Sequence, residues 1–179
     1  MNPESVLRSP LPTAELTAGC PVLDRVLGGG VPCSSVTEIF SESGCGKTQL
    51  CLQLLLSVQL PSSLDGLSAS SLYLHSELPF LLCHIRQISH SFQYSHPQIF
   101  SSHNPCDGIL GQPINSADHL FDLLLKTDFA IAKLKTQFAI KLIVIDSIAA
   151  LFRSEFDNNP SDLKRRSDLC EFKAVFVEE

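Results

Sequence analysis

Three features of the sequence predict an α/β fold with a mostly parallel sheet and helices on its faces. Short apolar strands alternate with helical patterns, a glycine-containing turn joins one strand to one helix, and a continuous apolar run ends in a carboxylate. The 179 residues suffice for one domain with a real core, and 44% hydrophobic against 18% charged residues marks a globular chain. A net charge of -6 lacks the basic field of a stand-alone DNA-binding module. The 7 cysteines are scattered and odd in number, with no C-x-x-C pair, which predicts free thiols in a reducing compartment. The first 12 residues hold no apolar signal segment, and the run 50–60 is too short to cross a bilayer. These features predict a soluble, intracellular protein.

Residues 1–18 are rich in proline, serine and threonine without periodicity, and are expected to form a flexible arm. The core is expected over 19–169. Val22, Leu23, Val26 and Leu27 fall at helical spacing, and Gly28, Gly29 and Gly30 stop that helix. Residues 35–40 alternate and are β-branched, so a strand is expected there. A turn over 41–46 leads into a helix over 47–60, with Leu50, Leu54 and either Cys51 or Val58 on one face. A strand at 72–75 and a helix over 80–92 follow. The stretch 95–115 has no clear pattern beyond a short strand at Ile99 and Phe100. Ser116 caps a helix to about 138, with Asp118 in its first turn. Residues 141–146 read as a strand buried on both faces, and 148–152 open another helix.

The turn Ser41, Glu42, Ser43, Gly44, Cys45, Gly46, Lys47, Thr48 matches the phosphate-binding loop except at its first position, where Ser41 replaces glycine. Such a loop wraps phosphate in backbone N–H groups at a helix N-terminus. The cofactor-binding residues are expected to be Glu42, Ser43, Gly44, Cys45, Gly46, Lys47, Thr48 and Gln49. Lys47 would meet the β- and γ-phosphates of ATP, and the Thr48 hydroxyl would coordinate Mg²⁺. Asp146, at the end of its strand and about 100 residues downstream, is the second expected Mg²⁺ residue. Glu77, just after a strand, is placed to activate water as a general base. A solvated loop glutamate reads equally well from the residues alone. The six histidines and the cysteines lack zinc-ligand spacing. The basic cluster Lys164, Arg165 and Arg166 reads as solvated surface.

Together, Leu16 to Asp24, Leu27 to Pro32, Thr37 to Ile39, Gly46 to Leu50 and Leu142 to Phe156 resemble the core of eukaryotic RecA-like recombinases. The wording is that of plant-like paralogues of the X-ray-repair cross-complementing type. The resemblance implies a P-loop NTPase core binding ATP and Mg²⁺, with Glu77 and Lys47 as catalytic residues. It implies a DNA-dependent ATPase of homologous recombination and double-strand-break repair, acting in the nucleus with other recombinase paralogues and DNA. An assembly module that holds ATP without turnover is the alternative, and a non-functional isoform a further one. The chain departs from the family pattern at Ser34, Ser41 and His84, the last standing where an arginine near the adenine is common. The core is also expected to be truncated after the aspartate strand and its following helix, with a divergent tail over 170–179 and weak turnover.

Overall fold

The computed structural model describes residues 14–76, 82–133, 139–148 and 150–151. The expected helix at 148–152 therefore falls only partly within the description, with 148, 150 and 151 helical. Most of the expected arm, the basic cluster at Lys164 to Arg166 and the tail 170–179 lie outside the described residues.

The described part opens with a small antiparallel pair. β1 (Glu15–Leu16) lies against β2 (Val31–Pro32), joined through helix α1 (Pro21–Leu27). Asp24 ties this unit together. Its carboxylate accepts from the Thr17 hydroxyl and from the Ala18 N–H, both at 2.7 Å. Gly28 ends α1 in the left-handed region at φ 84, as the triple glycine leads one to expect. Gly30 has a different role, because a Cβ there would sit 2.5 Å from the Leu16 carbonyl oxygen. Leu16 and Ala18, within the stretch expected as arm, are buried against Leu54 and Val58.

Helix α2 (Lys47–Ser57) is apolar all round because it packs in three directions. Leu54 meets the β1–β2 unit, Leu52 and Leu55 meet the sheet, and Leu56 meets Phe92 and Phe100. The sequence pattern shows only one of these faces. A 3-10 turn at Ser62–Leu64 then leads into β3 (Ser70–His75), in which all six residues are buried. Helix α3 (Leu82–Ser95) covers one side of α2 through Ile85, Ile88 and Phe92. After β4 (Ile109–Pro113) comes α4 (Ala117–Lys133) and then β5 (Ile140–Asp146). The Ser116 hydroxyl accepts from the His119 N–H at 3.1 Å, which is the expected cap.

The sheet order is β4-β3-β5, with both pairings parallel. Alternation along the strands gives it two apolar faces. Tyr73 and Val144 pack on Leu52, Leu55 and Ile85, whereas Leu72 and Leu74 pack on Ile114, Leu120, Leu124 and Leu151. Helices on both faces of a parallel sheet are the predicted α/β class.

Two expected strands are absent. Residues 36–40 are irregular and exposed, because no described strand lies beside them to complete a ladder. Ile99 and Phe100 lie in a turn, where Phe100 is buried among Phe92, Leu56 and Leu60. The strand of this region is instead β4, which is half exposed, contains Gly111 and ends in Pro113. Such an edge strand carries little apolar signature.

Candidate nucleotide site

The loop before α2 is built on two left-handed glycines. Gly44 and Gly46 adopt φ 81 and φ 87, the left-handed region that glycine takes without strain. Nothing lies within 4 Å of where a Cβ would stand at either position. Gly46 occupies the N-cap of α2 and offers no side chain to its first amides, and no acidic residue stands in the first turn. Those amides and the helix dipole point to an anion. Lys47 arches over the loop, where its Nζ donates to the Ser41 carbonyl at 2.9 Å and to the Glu42 carbonyl at 2.8 Å. A third bond, at 3.3 Å, reaches the Ser41 hydroxyl, so the residue that departs from the loop pattern is itself a Lys47 partner. Glu42, Ser43 and Cys45 are exposed loop residues, while Lys47 and Thr48 are half-buried.

Asp146 reaches the same region from the sheet. In the β3–β5 register Tyr73 stands beside Val144 and His75 beside Asp146. Tyr73 and Val144 pack beneath α2, so the alternation of the strands puts Asp146 on that same face. Its Oδ2 accepts a hydrogen bond from the Tyr73 hydroxyl at 3.0 Å. Cys51, one turn along α2 from Thr48, feels the same carboxylate. Burial pushes the Cys51 thiol up to about 11, the charge of Asp146 adds to the rise, and a bond to its own backbone opposes it. The two expected metal residues thus open and close facing elements, Thr48 at the start of α2 and Asp146 at the end of β5.

The tips of β3 and β5 are clasped. The Ser76 N–H donates to the Asp146 carbonyl at 2.9 Å, and the Ser76 hydroxyl donates to the Ser147 carbonyl at 2.8 Å. The Ser147 N–H donates back to that hydroxyl at 3.0 Å. Glu77 lies outside the described residues. Gln49, the last of the expected nucleotide residues, is exposed and hydrogen-bonded through its side chain to the His84 ring. That bond joins α2 to α3 where the family pattern has an arginine.

The donor set fits magnesium nucleotide chemistry. The loop offers open backbone amides and one lysine to phosphate, and a hydroxyl and a carboxylate are hard oxygen ligands suited to Mg²⁺. Among the described residues no three His, Cys, Asp or Glu side chains group as a metal site of their own. No described helix is long and apolar enough to cross a membrane. Sequence alone does not single out Tyr73, Ser76 or Ser147. Their part depends on strand order and register, which leave no local signal.

Comparison with known proteins agrees with this architecture. The DNA repair protein XRCC3 homolog of Arabidopsis thaliana is 55% identical over 171 residues, 94% of this chain and 56% of the relative. The DNA repair protein XRCC3 of Bos taurus is 38% identical over 145 residues, 79% of this chain and 42% of its own. The DNA repair and recombination protein RadA of Metallosphaera sedula is 32% identical over 155 residues, 87% and 45% respectively. The chain therefore spans about half the length of the curated relatives it matches. The sequence pattern of the Rad51 family matches residues 11–176, and with the RecA-like parallel sheet this shows that the chain belongs to the Rad51 family.

Proposed function

We propose that the chain binds Mg-ATP at the loop 41–48 and serves homologous recombination and DNA double-strand-break repair as a DNA-dependent ATPase of the recombinase type. The observation that carries this reading is the pairing of an uncapped α2 N-terminus, with two left-handed glycines before it, and a strand-end carboxylate on the facing element. Glu42 to Gln49 supply the nucleotide cradle. Lys47 exchanges its loop carbonyls for the β- and γ-phosphates, and Thr48 and Asp146 hold Mg²⁺. The metal supplies charge neutralisation across the phosphates. Glu77 orients a water and accepts its proton. DNA repair is named for the relatives from Arabidopsis, cattle and Metallosphaera, and recombination for the last of these; similarity over most of this chain supports carrying that role over. Other RecA-like paralogues are the proposed protein partners, with DNA engaged through the complex and the nucleus as the place of action.

A second reading is an assembly module in which ATP is held without turnover. It is favoured by α1, which buries none of its residues and leaves Val22 and Val26 more than two-thirds exposed at 70% and 78%. A stable paralogue complex that survives Glu77→Gln supports it, whereas turnover lost with that change supports the ATPase.

Binding of a fluorescent ATP in Mg²⁺, with Lys47→Ala as the control, tests the primary reading. Saturable binding abolished by the substitution is expected. Binding unchanged by it would sink the assignment of Lys47, and a folded chain that binds no nucleotide would sink the site.

A further inference from the structure

We propose that Tyr73 is a positioning residue for Asp146: its phenol holds one carboxylate oxygen so that the other is presented to Mg²⁺. The inference rests on the Mg-ATP reading of the site.

Tyr73 is 3% exposed, and a buried phenol requires a partner. Its hydroxyl donates to Oδ2 of Asp146 at 3.0 Å, across two adjacent strands. The register explains the reach. Tyr73 stands beside Val144, and Asp146 lies two residues on, on the same face, within the diagonal span of an aromatic side chain. The ring has little freedom, because it packs with Leu52, Leu55, Ile85 and Val144 and stacks on His75 at 5.7 Å and 25°. The aspartate backbone is held as well. Ser76 accepts and donates across the strand tips, and its N–H engages the Asp146 carbonyl. With the main chain clasped by Ser76 and the side chain held by Tyr73, the carboxylate keeps one orientation. Among the described residues no protein donor engages its second oxygen. A hydrogen bond to a carboxylate is charge-assisted, and partners of this kind orient metal ligands and strengthen metal binding.

Two measurements on the full chain test this. In the first, Tyr73→Phe keeps the packing and removes only the hydroxyl, and fluorescent-ATP binding is followed as Mg²⁺ is varied. The Mg²⁺ concentration at half-maximal effect is expected to rise about 10-fold, with nucleotide affinity in EDTA unchanged. An unchanged midpoint would overturn the proposal. So would an equal loss of affinity with and without Mg²⁺, the mark of a merely structural role.

The second measurement needs no nucleotide. The chain has 2 tyrosines and no tryptophan, so Tyr94→Phe leaves Tyr73 as the sole source of the tyrosine ultraviolet spectrum. Adding Asp146→Asn is expected to shift that spectrum, and an unshifted spectrum overturns the bond. A shift in a folded chain that binds no nucleotide overturns the Mg-ATP reading, and the metal role with it, while the bond itself stands.

Discussion

β3 and the segment 36–40 are both short, apolar and rich in strand-forming residues, yet they meet opposite fates. Every residue of β3 is buried, and parallel ladders run along both of its sides. In the other segment Val36, Ile39 and Phe40 are 62%, 38% and 87% exposed, with no ladder at all. β-propensity describes how a side chain fits a pleated surface. It does not supply the neighbouring strand that pairs the backbone.

This contrast can be broken most directly by core truncation. Leu74→Ala, at 1% exposure between two packed layers, is expected to destabilise the chain by about 2–5 kcal/mol. Phe40→Ala is expected to change stability by less than about 0.5 kcal/mol despite the larger side chain removed. Denaturant midpoints measure both, and comparable losses would mean that 36–40 is packed in solution.

Next come the glycines, which separate backbone crowding from open space. Gly44→Ala is expected to cost about 1–2 kcal/mol, the strain of a left-handed alanine alone. Gly30→Ala adds a clash with the Leu16 carbonyl and is expected to cost more. Thermal melts of the two variants would contradict this if they ranked the other way.

A smaller effect of opposite sign is expected at Ser57, whose hydroxyl is fully buried with no hydrogen-bond partner among the described residues. Ser57→Ala removes an unpaired polar group and is expected to raise stability by about 1 kcal/mol in urea unfolding.

The last expected change is a slope, absent at neutral pH. The folded Cys51 thiol titrates at about 11, above its ordinary value of 9.0. In the unfolded chain it ionises near the lower value. Stability is therefore whole below about pH 9 and falls as pH rises from there toward 11, because the unfolded state releases its proton first. Cys51→Ala should flatten that decline, and an unaltered slope would mean that the thiol is not shielded beneath α2.

Several elements were legible because their signals are local. The glycine stop of α1, the Ser116 cap of α4 and the apolar run of β5 each depend on neighbours within a turn or two. The loop at 41–48 is likewise local, since a left-handed Gly46 before a helix needs only its own sequence. β4 was hidden because an edge strand is half exposed and lacks both alternation and a continuous apolar run. The three-way packing of α2 was hidden too, because a helix apolar on all sides does not say which partner each side meets.

By itself, then, the sequence determined the α/β class, the loop with its lysine and threonine, and a carboxylate ending an apolar strand. These are properties of short stretches, set by backbone conformation and side-chain type. The tertiary structure alone decided the order β4-β3-β5, the face of the sheet on which Asp146 lies, and the tyrosine that binds it. Strand order and register follow from burying both faces of the sheet at once, a condition that joins residues 73 positions apart. No local pattern carries that information.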